Sequence, residues 1–471
     1  MNKTKSRNLS AGCRATPVIE ATTVARPPRF SYTFSVLQQI AQDALGYAKA
    51  GGASACEAEV TDGFGQNVSV RMREVENIEY NRDKGLSVTV YIGQKRGSAS
   101  TSDFSPQAIK QTVAAALSIA KFTAADNCAG LADAALLATE FPDLDLYHPW
   151  DLPVEQAIAL AKTCEAAGFA ADKRVTNSEG ASVSLSESQF VYANSLGFMG
   201  GYPASRHSIG CAMIAGKNDK MQRDYWYSAA CDAADLETAA SIGQKAGERS
   251  ARRMGARKIA TCDAPVIFEA PIASGLISHF VSAVSGGSLY RKSSFLLDSV
   301  GEQIFAPTIS LRELPFIKKG LASGAFDGEG VATHDRDVVR DGVVQGYFLG
   351  SYSARKLGLA TTGNAGGNHN LILENGAEMV FDALLKKMGK GLLVTELLGH
   401  GINGVTGDYS RGAAGFWVEG GEIQHAVEEV TIAGNLKQMF SGVVALGSDV
   451  RVQGSKQCGS ILVDKMTVAG E

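Results

Sequence analysis

The stretch FWVEGGEIQHAV, residues 416–427, predicts a β-hairpin and with it the fold class of the second half of the chain. Phe416 to Glu419 and Ile423 to Val427 are short segments of the apolar, strand-forming type. Gly420 and Gly421 stand between them, and glycine tolerates the positive φ angles that a two-residue hairpin turn requires. We therefore expect antiparallel pairing in this part of the chain.

Further strand-like segments surround the hairpin. They are Val266 to Glu269, Val343 to Leu349 and Leu392 to Leu397, and an apolar helix at Ile272 to Val284 interrupts them. The chain contains 52 glycines, an excess that indicates many turns and hairpins. We therefore predict a β-rich domain of the mixed or barrel-like type for residues 231–471.

The first half combines helices and strands in blocks. Helical spacing is found over Leu37–Ala48, with Ser31 or Thr33 as its cap, and over Pro106–Phe122 and Val154–Ala170. Apolar residues alternate in Val68–Met72 and Leu86–Ile92, with Asn81–Gly85 between them, which predicts an antiparallel meander. Blocks of this kind favour an α+β fold over a doubly wound parallel sheet. For residues 31–230 we predict helices packed on an antiparallel sheet, and we place the boundary near residue 230, before a polar helix at Ala233–Arg257.

Composition and charge argue against several classes of protein. The 471 residues include 45 Lys and Arg against 49 Asp and Glu, and a formal net charge of −4 disfavours nucleic-acid binding by bulk electrostatics. No apolar run approaches the roughly 18 residues that a membrane-spanning helix needs, so we expect no membrane partner. The eight cysteines form no C-x-x-C pair, which favours a reducing cytoplasm. Residues 1–30 predict a disordered basic tail, with an organelle transit peptide as the alternative.

The local motifs of common hydrolases and nucleotide-binding proteins are missing. The seven histidines are at least 25 residues apart, so none forms the local pair that zinc hydrolases often use. A zinc site built from distant residues such as His279, His400 and Cys458 stays open as an alternative. Gly399 to Gly404 matches G-x-G-x-x-G, but more glycines follow it instead of the helix that a dinucleotide site requires.

Two glycine-rich segments remain unusual. Thr361 to Asn370 and Gly407 to Gly412 are polar enough to present backbone amides to a peptide substrate or to a partner chain. Ordinary surface turns are the alternative interpretation.

Four segments resemble the PmbA (TldE) branch of the TldD/PmbA metalloprotease family. They are Ser285 to Ser299, Ser351 to Leu359, Thr362 to His369 and Gly407 to Trp417. The resemblance covers roughly residues 31–471. It implies a subunit of a cytoplasmic heterodimeric metalloprotease, whose chamber admits small or unfolded polypeptides for maturation or degradation. Some members of the family have also been labelled modulators of DNA gyrase, so a non-enzymatic protein-binding modulator is a further alternative.

The resemblance also implies which of the two subunits binds the metal. The TldD branch holds zinc through an H-E-x-x-x-H helix and a cysteine near the C-terminus. Here Phe268 replaces the first histidine, neither Ala273 nor Ser274 replaces the second, and Glu269 and Cys458 stand at the base and cysteine positions. We therefore expect no catalytic residue and no cofactor in this chain, with Cys458 as a lone metal-ligand position and zinc in a TldD-type partner.

The remaining expectations concern contacts. We predict a heterodimer with the TldD-type subunit, with a homodimer as the alternative when the chain is alone. The candidate residues for substrate or partner contact are polar members of the resembling segments: Arg291, Lys292, Asn364, His369, Asp408, Tyr409 and Arg411. Local turn hydrogen bonding and packing is their alternative role.

Overall fold

A computed structural model describes residues 29–470 of the chain. The predicted disordered tail therefore lies outside the described residues, except for Arg29 and Phe30. Arg29 forms an ion pair with Glu187, and the ring of Phe30 lies 5.6 Å from that of Tyr147. The α-helices are α1 (Phe34–Ala50), α2 (Pro106–Phe122), α3 (Val154–Ala171), α4 (Ala239–Arg252), α5 (Ala270–Ala283), α6 (Gly286–Tyr290), α7 (Ser351–Leu357), α8 (Phe381–Met388) and α9 (Leu436–Ser441). None of these is long and apolar enough to cross a membrane.

The first half is an antiparallel sheet with helices on one face. Its strands are β1 (Ala55–Arg71), β2 (Glu74–Ile92), β3 (Lys95–Thr101), β4 (Val175–Asn194), β5 (Met199–Gly200), β6 (Pro203–Ala215) and β7 (Gln222–Ala230). They are ordered β3-β2-β1-β4-β6-β7, and β5 pairs with β4. Helices α1 and α2 bury one apolar cluster against this face, and α3 and α4 bury a second. The other face of the sheet is left for the second half of the chain.

One turn of this sheet differs from the sequence prediction. We expected a turn at Asn81–Gly85, but these residues continue β2, and the chain reverses at Met72 and Arg73 instead. Both turn residues have positive φ, 51° and 68°, which is uncommon for side chains of this size. Their backbone N–H groups donate to the buried carboxylate of Glu165 at 2.8 and 2.7 Å. This long-range contact stabilises a turn that local sequence does not indicate.

The second half contains a closed barrel and a smaller sheet. Its strands are β8 (Cys262–Phe268), β9 (Ser310–Glu313), β10 (Arg336–Arg340), β11 (Val343–Val344), β12 (Leu371–Glu374), β13 (Gly391–Leu398), β14 (Asp408–Glu419), β15 (Glu422–Asn435), β16 (Val443–Leu446), β17 (Lys456–Gln457) and β18 (Ile461–Ala469). The order β15-β14-β13-β8-β18 closes because β15 also pairs with β18, and β16 adds to β18. A second sheet has the order β11-β10-β9-β12-β17. The predicted α+β class with a barrel-like second domain is confirmed.

Of the local elements predicted from the sequence, some are present in the structure and others differ from it. The hairpin at Gly420 and Gly421 is present, with φ of 62° and 77°. The predicted strand Val343–Leu349 is wrong beyond its first two residues, because only these pair with β10. The polar helix is shorter than Ala233–Arg257, and its apolar side packs on the first sheet. The domain boundary near residue 230 stays a prediction.

Candidate functional site

The glycine-rich loop, residues 361–370, connects α7 with β12 and carries the candidates Asn364 and His369. Asn364 is 5% exposed, and its side-chain amide donates to Oε1 of Glu313 at 2.8 Å. The backbone N–H of His369 donates to the same oxygen at 2.7 Å. The ring nitrogens of His369 lie 3.2 and 3.1 Å from two backbone carbonyl oxygens. Both candidates therefore anchor the loop to the protein.

The anchor point is a buried ion pair between Glu313 and Arg336. Glu313 is 1% exposed, and its second oxygen accepts a hydrogen bond from Nε of Arg336 at 2.7 Å. Arg336 also donates to the side-chain oxygen of Asn364 at 3.0 Å and to the carbonyl oxygen of Tyr347 at 2.9 Å. A satisfied polar network of this kind specifies one loop geometry. Sequence reasoning missed both charged residues, because Glu313 lies 51 residues before Asn364 and no local spacing joins them.

This loop forms one wall of a groove over the open face of the first sheet. Two cavities, of about 1090 Å³ and 790 Å³, make up the groove. The residues that line both cavities are Glu59, Tyr192, Gly328, Ala365 and Gly366. Ser184, Ser186 and Ser188 of β4 belong to its floor, where they alternate with residues that face the helices. The lining combines these polar side chains with apolar ones, among them Phe64, Phe190 and Phe326.

Carboxyl groups give the groove its electrostatic character. Glu57 lines the first cavity and accepts hydrogen bonds from the hydroxyl groups of Tyr91 at 3.1 Å and Tyr192 at 2.8 Å. Burial nevertheless raises the pKa of Glu57, and it also raises the pKa of Glu59. Asp327 lines the second cavity, where burial raises its pKa to about 6. No sequence motif marks these residues, because strand alternation alone does not show which polar face is enclosed.

The other candidates lie near the start of β14. Arg291 and Lys292 are exposed just after α6, and Asp408 is exposed at the first position of β14. The segment after α6 is joined to the loop before β14, because the N–H of Phe295 donates to the carbonyl oxygen of Gly404 at 2.9 Å. The segment that contains Arg291 and Lys292 therefore contacts the loop that leads into Asp408.

In this second group, Tyr409 and Arg411 each have a buried polar atom that lacks a hydrogen-bond partner among the described residues. Tyr409 is 1% exposed, and its ring lies 5.9 Å from that of His279 and 6.5 Å from that of Phe268. Burial raises the pKa of Tyr409 to about 12, so its hydroxyl stays protonated. Within residues 29–470, neither this hydroxyl nor the buried Nε of Arg411 has a hydrogen-bond partner. Unpaired buried polar atoms of this kind are uncommon in native proteins.

The positions that the resemblance assigns to zinc ligands lie in apolar core. Phe268 and Ala273 are 0% exposed, Cys458 is 1% exposed, and all three belong to one buried cluster. Burial raises the pKa of Cys458 to about 12, which keeps the thiol neutral at physiological pH. Phe268 and Ala273 have no ligand atoms. These residues do not fit a zinc ion.

The glutamate at the general-base position is held by an arginine. Glu269 directly precedes α5, and its two oxygens accept hydrogen bonds from Nη1 and Nη2 of Arg249, both at 2.8 Å. Arg249 also donates to Asp224 at 3.1 Å. A bidentate pair of this geometry strongly favours the charged carboxylate and fixes its direction. Glu269 and Arg249 therefore link α5 to α4 and, through Asp224, to β7 of the first sheet.

The three residues of the alternative, non-local zinc site have different environments. His279 packs against Tyr409, His400 is exposed, and Cys458 is buried. Across the described part of the chain, no three or more His, Cys, Asp or Glu side chains are grouped so that they could hold a metal ion.

Family models match most of the chain. The model described as the PmbA/TldA metallopeptidase C-terminal domain matches residues 261–470, the central-domain model matches residues 147–254, and the domain 1 model matches residues 56–120.

Individual proteins are similar over nearly the whole length. Metalloprotease PmbA of Escherichia coli O157:H7 is 48% identical over 93% of this chain and 96% of its own. The Metalloprotease PmbA homolog of Haemophilus influenzae is 46% identical over 92% and 96%. The same bacterium has a Metalloprotease TldD homolog, 25% identical over 36% of this chain and 38% of its own.

Two solved structures have the same fold. A proposed modulator of DNA gyrase from Bacteroides thetaiotaomicron gives a TM-score of 0.87 at 28% identity, covering 92% of this chain and 99% of the other. TldE from Thermococcus kodakarensis gives a TM-score of 0.77 at 20% identity, covering 91% and 99%.

Proposed function

This chain belongs to the PmbA branch of the PmbA/TldD metallopeptidase family, and on that premise we propose that it is the subunit without the metal in a two-subunit metalloprotease. In this proposal a TldD-type partner carries the zinc and cleaves the peptide bond. This chain encloses the substrate path and contributes no catalytic residue. The substrates are small or unfolded polypeptides, and the complex works in the cytoplasm.

The observation that carries the proposal is the chemistry of the zinc-ligand positions. A catalytic zinc site needs three protein ligands and an open position for water. Phe268 and Ala273 offer no ligand atom, and Cys458 alone cannot complete a site. Glu269 is occupied by Arg249, so it is not free to take a proton from water. A Haemophilus relative of each branch supports the idea that the two types of subunit occur together.

In this proposal, the contribution of this chain to the complex is to bind the peptide substrate in the groove. Its floor of small polar side chains can form hydrogen bonds with an extended backbone without selecting one sequence. The loop of residues 361–370 keeps the groove open, because Glu313 and Arg336 fix its course. A binding surface that needs no rearrangement loses less entropy when a flexible peptide binds.

The experiment is reconstitution from separately purified subunits. The chain alone should contain far less than stoichiometric zinc and should not hydrolyse a fluorogenic peptide. Addition of the TldD-type subunit should give a heterodimer by light scattering and zinc-dependent hydrolysis. Stoichiometric zinc together with hydrolysis by the chain alone would refute the proposal.

A pair of matched variants tests the role of Glu269. Glu269→Gln in this chain should leave the turnover number of the assembled enzyme within about twofold, provided that the heterodimer still forms. The same change at the general-base glutamate of the zinc subunit should abolish turnover, because general-base catalysis contributes about 10²–10⁴-fold. Loss of turnover in an intact heterodimer containing Glu269→Gln would assign a catalytic role to this chain.

The alternatives predict other outcomes of the same experiment. An autonomous metallopeptidase would lose bound zinc in His400→Ala, a change at an exposed position that should not disturb folding. A protein-binding modulator, as the description of the Bacteroides structure suggests, would keep its cellular effect when the zinc ligands of the partner are mutated. A homodimer would be seen by light scattering of the chain alone.

A further inference from the structure

Arg411 carries a positive charge that no carboxylate of the described residues neutralises. It lies on β14 two residues after Tyr409, so both side chains leave the strand on the same side. Arg411 is half-buried, its Nε has no hydrogen-bond partner within residues 29–470, no carboxylate there forms an ion pair with it, and the interaction of its guanidinium with Tyr409 partly offsets the raised pKa of that residue. The other arginines described above behave differently, since Arg249 and Arg336 each bind a carboxylate at 2.7–2.8 Å.

The surroundings of Arg411 offer further donors. The hydroxyl of Tyr409 is buried without a partner, and the imidazole of His279 packs edge-on against the Tyr409 ring at 5.9 Å. Burial, and to a smaller extent the charge of Arg411, lower the pKa of His279, so the neutral ring has one N–H to donate at neutral pH. A guanidinium, a phenol and an imidazole next to each other form a set of donors that lacks an acceptor.

We propose that Arg411, Tyr409 and His279 form a binding site for a carboxylate group, namely the C-terminal carboxylate of a peptide. The identity of the ligand rests on the proposed function, because that function makes peptides the molecules that reach this chain. A carboxylate has a single negative charge, which matches the single cation, and its two oxygens match the planar fork of the guanidinium. A phosphate dianion would leave excess negative charge here. The unpaired hydroxyl of Tyr409 would then gain the partner that it lacks in the free protein.

The test compares two forms of one peptide. A short labelled peptide of alanine and serine is prepared with a free C-terminal carboxylate and with a C-terminal amide, and its binding to the full chain is measured by fluorescence anisotropy. The carboxylate form should bind about 10-fold more tightly, as expected for charge-assisted hydrogen bonds. Free acetate should compete with the carboxylate form. Equal affinity of the two forms would overturn the proposal.

Variants of single residues test whether the proposed site causes the preference for the carboxylate form of the peptide. Arg411→Gln should remove it, whereas Arg340→Gln, at an exposed arginine that pairs with Asp337, should retain it. If Arg411→Gln does not fold, Tyr409→Phe decides, because it removes only the unpaired hydroxyl. Tyr409→Phe should reduce the preference severalfold while the thermal midpoint of the free chain stays the same or rises. An unchanged preference, or a lowered midpoint, would show that the hydroxyl has a structural partner instead.

The outcome is separable from the proposed function, because the binding assay uses this chain alone. A retained carboxylate preference with failed reconstitution would refute the two-subunit enzyme and leave the site intact. Successful reconstitution with equal binding of acid and amide peptides would support the two-subunit enzyme and refute the carboxylate site. If Arg411→Gln retained the preference but weakened the heterodimer, the missing carboxylate would belong to the partner, and the proposed site would be wrong.

Discussion

Replacement of Arg336 by methionine should release the glycine-rich loop from the rest of the protein. The change removes the cation beside Glu313, together with the hydrogen bonds that Arg336 donates to Asn364 and to a backbone carbonyl group. Methionine approximates the length of the side chain, so the aliphatic packing is largely retained. Glu313 would be left as a buried charge with two remaining donors.

The expected cost follows from the burial of the pair. The side chains of Glu313 and Arg336 are 2% and 12% exposed, so solvent screens them little. Breaking a buried ion pair by removing one partner costs about 3–5 kcal/mol. If the free energy of opening falls by this amount, amide exchange in residues 361–370 should become faster by roughly two to four orders of magnitude. The opening free energy of the native loop sets the upper limit of this increase.

Hydrogen exchange followed by mass spectrometry measures this directly. Arg312→Met is the matched control, because Arg312 lies on neighbouring β9 but is 44% exposed and has carboxylates only at 3.7 and 3.9 Å. The control should cost less than about 1 kcal/mol and leave the exchange of the loop unchanged. If Arg336→Met exchanged no faster in the loop than Arg312→Met, the assignment of the ion pair as the anchor would be refuted.

Three other predictions concern packing, pH and the first hairpin. Gly415→Ala should prevent stable barrel formation, because a Cβ there would lie 1.9 Å from the backbone oxygen of Leu393. The control Gly404→Ala should be tolerated, because the atom nearest to its added Cβ would be 3.7 Å away. Equal thermal midpoints of the two variants would contradict this prediction. Burial raises the folded-state pKa of Glu57, so the native state loses stability as pH rises from about 4.3, the unfolded value, through the higher folded one. Glu57→Gln should therefore gain stability relative to the wild type as pH rises above the unfolded pKa in urea unfolding, and a pH-independent difference would show that ionisation of Glu57 is not penalised. Glu165→Ala should destabilise the chain by about 1–3 kcal/mol, because two turn amides lose their acceptor, and an unchanged urea midpoint would count against this contact.

Elements with strong local signals could be predicted from sequence. Helix α2 has the predicted bounds, since Ser105 caps it and Pro106 occupies its first turn. The Gly420–Gly421 hairpin is equally local. The turn at Met72 was missed, because a carboxylate from a distant helix stabilises it.

The candidate site was predicted only as a set of residues. The segments that identify the family contain Asn364, His369, Tyr409 and Arg411, but the sequence does not show which of them are already bonded. The partner of the first two, Glu313, is distant in the chain and belongs to no motif. For this reason the anchoring pair and the acidic groove were found only in the structure.

The sequence by itself determined the family, the α+β class and the lack of ligand atoms at Phe268 and Ala273, because these depend on residue identity and local order. The tertiary structure decided that Glu269 is held by Arg249, that Asn364 is an anchor, and that no carboxylate of the described residues forms an ion pair with Arg411. The physical reason is that burial and electrostatic pairing depend on groups that folding brings together from distant parts of the chain.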